Sequence, residues 1–242
     1  MTIHFLMPSK HDLSLIPEER VNPTDEKNEL NFKNLMVSKP WGEEYLLFEN
    51  ADAAIWILKI SPDNCTSFHA HPNKTTSLII LDGQARCKTY TNSYNLNVLN
   101  AVIIAKKAFH QTSNVATKDL YLMEIESPVD KFDLIRACDN YGREGQTYES
   151  REYCRLVPDS YMGIGEKYIG DTYISINFAN QFEDFINQVS KLKNAIITIL
   201  DRHIWSSDGE KLLEVGNSFK LEEMQEGFTI NDNFHYVILH KL

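Results

Sequence analysis

From Lys39 onward, short apolar or alternating runs follow one another at residues 44–48, 54–60, 67–71, 77–81, 86–91, 101–104 and 120–125. Asp, Asn, Gly or Pro punctuates most of the gaps, and β-branched and aromatic residues fill the runs. Short strands at this spacing predict an antiparallel sandwich or barrel. A doubly wound α/β fold would need helical periods between the strands, and none is visible before about residue 131. Residues 130–139 are the first predicted helix, followed by a polar stretch at 140–149. The second half repeats the strand pattern more weakly, at 173–178, 195–200, 211–215 and 236–240. It also holds one amphipathic helix, 181–191, with Phe182, Phe185, Ile186 and Val189 on one face. Residues 1–38 are polar and broken by Pro8, Pro17 and Pro23, which predicts an N-terminal arm with one helical turn near 17–20.

Two stretches echo each other. Residues 77–83 read SLIILDG and residues 196–202 read IITILDR. Each is followed by a Val-x-Asn turn (Val98–Leu99–Asn100, Val215–Gly216–Asn217) and then by a closing apolar strand. The echo predicts an internal duplication, dividing the chain into an arm (1–38), a first barrel (39–150) and a weaker second barrel (151–242).

Composition narrows the function. The 242 residues are 43% hydrophobic and 24% charged, enough to bury a core. Lys plus Arg total 24 against 34 Asp plus Glu, a formal charge of -10 with no basic run. Such a surface repels phosphate backbones, so nucleic acid is not an expected partner. No stretch approaches the ~20 apolar residues that span a bilayer, and the first residues hold no signal-peptide core. The four cysteines are scattered without a C-x-x-C pair, which fits reduced thiols in a cytoplasmic protein.

Chemistry concentrates in three of the eight histidines. His69 and His71 lie two apart in a predicted strand, so both imidazoles share a face with Cα atoms roughly 6.6 Å apart. His110 follows about three strands later, and a sheet that curls back would set it opposite the pair. Three neutral imidazoles suit Zn, Fe, Mn, Ni or Co and leave positions open for water or substrate. His4, His11, His203, His235 and His240 are scattered and read as structural or surface residues.

These residues resemble the cupins. His69–Ala70–His71 and Gly83 match the first cupin motif, with Thr76 where that motif has Glu. His110 and Asn114 match the second, with Ala105 and Lys107 in place of its Pro and Gly. Lys39–Pro40–Trp41–Gly42, Glu124–Ile125–Glu126, Asp133–Leu134–Ile135–Arg136 and Asp139–Asn140–Tyr141–Gly142–Arg143 resemble the opening and closing patterns of the cupin domain in type II phosphomannose isomerases. The resemblance implies an all-β fold of two cupin barrels (double-stranded β-helix or jelly-roll), the second degenerate, with a few short helices. It implies a divalent ion on His69, His71 and His110, a sugar or sugar phosphate as ligand, and carbohydrate or surface-polysaccharide metabolism as setting. No Gly-rich loop of the nucleotidyltransferase half is present, which excludes guanylyl transfer. Thr76 cannot serve as a charged ligand. The second half keeps no metal set: the count from Asp82 back to His69, repeated from Asp201, falls on Gln188, with Ser190 in the place of His71.

The remaining polar candidates follow from position. Lys74, Lys106 and Lys107 flank the histidine motifs and are expected near the barrel mouth, where cations hold phosphate or carboxylate. The resemblance implies that Arg136 and Arg143 pack the closing segment, with Arg136 reaching substrate. Tyr90, Lys88 and Glu124 fall on predicted strands, and Glu124 is the expected general base of an isomerase or epimerase. Two further readings stand beside it: a three-histidine iron dioxygenase and a non-catalytic sugar-binding cupin. A homodimer is expected through edge strands.

Overall fold

The computed structural model describes residues 1–17, 31–144, 146, 148–158, 166–206, 208–220, 222 and 228–241. Its largest sheet has eight strands, in the order Ile3–Leu6, Ala101–Ile104, Thr75–Asp82, Leu120–Ser127, Ala54–Ile60, Gly42–Glu49, Leu35–Lys39 and Cys154–Leu156. Across from it lie a three-stranded sheet (Gln111–Asn114, Ala85–Lys88, Ser93–Leu96) and a two-stranded one (Ile135–Cys138, Phe68–Ala70). Isolated bridges Cys65 to Ser113 and His69 to His110 stitch these two together, closing a barrel.

The central strands are apolar on both faces over much of their length because both faces of the large sheet are covered. Along Ala54–Ile60, Trp56, Leu58 and Ile60 point into the barrel with Leu78, Ile80, Leu122 and Val102. The alternate residues Ile55 and Ile57 point out, together with Ile79, Met123 and Ile125. That outer face packs against Ile174, Ile196, Val237 and Leu239 of the second half.

The second half has a five-stranded sheet, ordered Glu166–Ile169, Thr172–Ala179, Phe234–Lys241, Ala195–Ile199, Ser218–Lys220, and a three-stranded sheet, ordered Lys211–Leu213, Ile204–Ser206, Phe228–Thr229. Both orders repeat those of the first barrel. Ala195–Ile199 lies between Ser218–Lys220 and Phe234–Lys241, as Thr75–Asp82 lies between Ala101–Ile104 and Leu120–Ser127. The helix Phe182–Val189 stands where the first barrel has the strand Phe68–Ala70, and seats Phe185 and Val189 on Ile197, Phe234 and Tyr236.

The motif residues outside the site are structural. Gly83 has φ +94, and a Cβ there would sit 3.2 Å from the Asp119 carbonyl oxygen. The Asn114 amide donates to the carbonyls of Ile60 (2.9 Å) and Lys118 (2.8 Å), tying two loops together.

Several expectations need correction. Residues 130–139 are not a helix: turns lead into the strand Ile135–Cys138, because pairing with Phe68–Ala70 satisfies the backbone there. The strand expected at 86–91 ends at Lys88, so Tyr90 lies in a bend. The arm contributes two strands: Leu35–Lys39, and Ile3–Leu6, which runs parallel to Ala101–Ile104. Its helix is Lys10–Leu15, capped reciprocally by Ser9 and Asp12, whereas most of the turn expected near 17–20 lies outside the described residues. The amphipathic helix is shorter than expected, ending at Val189.

Candidate metal centre and its cavity

The strand Phe68–Ala70 and the bridge at His110 bring three imidazoles together. Backbone hydrogen bonds run both ways between His69 and His110, at 3.0 and 2.8 Å. One ring nitrogen from each of His69, His71 and His110 lies within 4.8 Å of the others. Every Nδ1 is spoken for by a main-chain carbonyl: Ser67 for His69 at 2.8 Å, Asp133 for His71 at 2.6 Å, Ala108 for His110 at 3.1 Å. A carbonyl can only accept, so Nδ1 carries the proton and Nε2 keeps its lone pair. The Nε2 of His71 is buried and has no hydrogen-bond partner. Burial, with neighbouring charges and imidazoles adding to it, holds His69 and His71 well below the usual imidazole range and His110 at about 4. Three neutral, same-tautomer imidazoles with an orphaned inward nitrogen have the donor chemistry a divalent ion needs.

Thr76 is fully buried on the strand face shared by Lys74 and Leu78, and its hydroxyl has no partner. It supplies no charge.

The histidines form one wall of a cavity of about 620 Å³, counting its open mouth. Trp41, Leu58, Leu78 and Leu122 line its apolar side, and Glu124 and Lys131 face into it. Burial raises the Glu124 carboxyl above its ordinary value, and Glu126 and Glu44 add to the rise, while Lys131 and Lys74 partly offset it. Its nearest cation, Lys131, is 3.8 Å away. Lys131 also lies 3.4 Å from Glu44 and 3.9 Å from the centre of the Trp56 ring. Glu44 accepts from the Tyr148 hydroxyl and sits 3.2 Å from Lys39.

The sequence-predicted residues therefore divide. His69, His71, His110, Lys74, Arg136 and Glu124 all line the cavity. Lys74 is not a free cation at the mouth: it is buried, paired with Glu126, and donates to the Asp130 carbonyl at 3.0 Å. Arg136 donates to the Gln146 carbonyl at 2.6 Å, and Arg143 holds Asp139 at 2.8 and 2.9 Å and Glu149 at 2.6 Å. Lys106 and Lys107 are exposed and do not line the cavity, since a left-handed turn (φ 70 at Lys107) carries them outward. Tyr90 is 41% exposed and packs on Phe68 and Phe109 behind the histidines. Lys39, Glu44, Lys131 and Tyr148 were not singled out as site residues. Glu44 carries no distinguishing sequence signal, because its strand Gly42–Glu49 also holds Glu43 and Glu49.

A double-stranded β-helix with inward histidines on its adjoining smaller sheets is a cupin barrel. Residues 25–139 match the family model described as mannose-6-phosphate isomerase C-terminal, and this part of the chain is similar to that cupin domain. No curated protein sequence matches the chain. Similar solved structures include KdgF from Halomonas sp. (13% identity, 38% of this chain and 84% of that one, TM-score 0.37). The capsular polysaccharide assembling protein CapF from Staphylococcus aureus is similar at 16% identity, over 43% of this chain and 31% of that one, with TM-score 0.39. A cupin-superfamily sugar phosphate isomerase from Silicibacter pomeroyi is similar at 8% identity, over 40% and 62%, with TM-score 0.34. The chain thus spans about a third of the length of CapF.

Proposed function

We propose that the first barrel is a metal-dependent isomerase or epimerase of a sugar or sugar phosphate. The observation that carries the reading is Glu124, a buried carboxyl with a raised pKa in the same cavity as three lone-pair-bearing Nε2 atoms. The family match supports a sugar-linked role.

His69, His71 and His110 would hold the ion, which when bound polarises the oxygens of an open-chain sugar. The chain's own residues supply the rest. For isomerisation the Glu124 carboxylate takes a proton from one carbon and returns it to the neighbouring carbon on the same face, while the hydroxyl proton passes to the former carbonyl oxygen. Epimerisation needs in addition that the enediol turn over before the proton returns. The raised pKa of Glu124 makes its protonated form accessible during that transfer, and Lys131 steadies the charged form. Lys74 with Glu126, and Arg143 with Asp139 and Glu149, are self-neutralising pairs that frame the cavity. Leu58, Leu78, Leu122 and Trp41 keep water away from the transfer.

A cytoplasmic location and a homodimer belong to the same proposal. The four cysteines are free thiols, and no helix among the described residues is long and apolar enough to cross a membrane. The large sheet ends on Ile3–Leu6 and Cys154–Leu156, with Phe5 59% and Leu156 76% exposed.

The test incubates protein loaded with Zn, Mn, Fe or Ni with aldoses, ketoses and their phosphates, under air and under nitrogen. Isomer exchange indifferent to oxygen, and lowered about 10²–10⁴-fold in Glu124→Gln without loss of metal, is the expected result. Iron-dependent oxygen uptake would favour a dioxygenase instead. Sugar binding with neither signal would leave a non-catalytic cupin.

A further inference from the structure

The repeated strand order gives the second half a counterpart of the first cavity. In the first barrel Glu126 lies opposite Thr76 and beside Ala54; in the second, His240 lies opposite Ala195 and beside Tyr173. Aligning the two Asp82/Asp201 echoes puts Ala195 on Thr76, and hence His240 on Glu126 and Tyr173 on Ala54. At this place the second half has a groove lined by Glu166, Tyr168, Tyr173, Ser175, Gln188 and His240. Gln188 stands on the helix that replaces the metal-bearing strand, where the count from Asp201 sets the equivalent of His69.

We infer that this groove is a second, metal-free carbohydrate site that takes a neutral pyranose. Tyr168, Tyr173 and His240 form a row of rings along one sheet face, with centroids 5.2 and 4.8 Å apart. Tyr168 is 56% exposed, so its ring is open to solvent at one end of the row. Ring faces carry negative charge density and attract the partly positive C–H groups of a pyranose face. Glu166, which accepts from the Tyr173 hydroxyl, and the Gln188 amide, which donates to Asn177 at 3.2 Å and accepts from the Tyr236 hydroxyl, flank the row; the second carboxylate oxygen and the second amide N–H are the groups left for sugar hydroxyls. Among the described residues no Lys or Arg lines the groove, so a phosphate or uronate would meet the Glu166 carboxylate without a cation from them. An ammonium cage would need rings on several sides, whereas these lie in one row. One imidazole and one carboxylate do not make the three-nitrogen set of the first barrel.

The inference does not depend on Glu124 chemistry or on the metal. It is tested by titrating the full-length protein with methyl α-glucopyranoside, methyl α-galactopyranoside and methyl α-mannopyranoside, read by saturation-transfer NMR and calorimetry. At least one should bind. Tyr168→Ala, at an exposed position, should weaken that binding about tenfold, the loss of roughly one ring contact, with an unchanged melting temperature. His71→Ala should leave it intact. The inference is overturned if no pyranoside binds, if binding survives Tyr168→Ala, or if it disappears with His71→Ala. Competition by choline, which would mark a cation cage, also overturns it.

Discussion

Each imidazole of the cluster gives its Nδ1 hydrogen to a main-chain carbonyl, so the lone pairs are fixed before any ion arrives. This preorganisation predicts that His71→Ala removes most bound metal, measured by elemental analysis after dialysis, while the fold by circular dichroism stays. Retention of stoichiometric metal would exclude His71 as a ligand. Across the cavity Glu44 makes a different prediction. Burial alone would raise its pKa, but Lys131, Lys39 and the Tyr148 hydroxyl more than offset that and hold it down, from 4.5 to about 2. A carboxyl whose folded pKa is depressed stabilises the fold fully above its unfolded value and loses that contribution as pH falls through the folded one. Stability should therefore fall between about pH 4.5 and 2, by on the order of 3 kcal/mol from this group. Chemical denaturation at several pH values checks it, and Glu44→Gln should flatten that slope. At neutral pH Glu44→Gln should cost about 3–5 kcal/mol, because two buried lysines lose a partner. At this scale the three-histidine cluster was legible in the sequence; that Glu124 faces the cavity was not, because a one-residue change of register would turn it outward. Nor was the charge network: no local pattern shows that Lys39 will meet Glu149, far along the chain, or that Lys131 will lie over Trp56.

Among elements, the segment 130–138 shows why local reading fails. Phe132, Leu134 and Ile135 can be placed on a helix, yet the chain turns and Ile135–Cys138 zips onto Phe68–Ala70, the strand that carries His69. Long-range pairing overrode a weak local preference. Asp133 is the pivot. Its carboxylate accepts from the main-chain N–H groups of Asn73 (2.8 Å) and Lys74 (3.0 Å) and from the Asn73 amide (2.9 Å). Its carbonyl meanwhile orients His71. Asp133→Ala should free the 71–74 loop, costing about 2–4 kcal/mol for buried donors left unpaired and weakening metal binding about 10–100-fold. Competition with a chromogenic chelator, beside a melting curve, reads both. Unchanged metal affinity would show that the carbonyl of residue 133 is held without its side chain. The strands of the first barrel were legible because their apolar runs are long and well punctuated. Short strands such as Ser218–Lys220 and Phe228–Thr229 carry too few residues to show a period, and they form by pairing with neighbours already in place.

In the whole molecule, the two halves share a core. Ile55, Ile57, Ile79, Met123 and Ile125 of the first meet Ile174, Ile196, Val237 and Leu239 of the second, all buried. Polar contacts fix the register of that packing: the Ser77 hydroxyl donates to the Gly216 carbonyl at 2.8 Å, and the Thr172 hydroxyl to the Leu81 carbonyl at 2.6 Å. The echo in the sequence predicts a repeat, and the strand order of the second half follows that of the first; that the two large sheets lie back to back is not written in the echo. That arrangement is what turns the outward residues of Ala54–Ile60 into a second core, and it explains why this strand reads as apolar at every second position on both faces. The clearest consequence is thermodynamic. Side chains of this size each contribute about 1.5–3 kcal/mol when fully buried, so neither half keeps its stability when the other leaves. Calorimetry on the intact chain should show one cooperative transition, with calorimetric and van't Hoff enthalpies in agreement. A chain ending at residue 158 would expose the apolar face of its eight-stranded sheet and should aggregate or melt far below the full-length protein. Val237→Asp, which sets a carboxylate into the shared core, should destabilise both halves together. Tryptophan fluorescence separates the outcomes, because Trp41 and Trp56 lie in the first half and Trp205 in the second. With Trp205→Phe and with the double change Trp41→Phe and Trp56→Phe, the two halves can be followed in turn. Coincident unfolding curves are the expected result, and curves separated along the denaturant axis would show that the halves are independent.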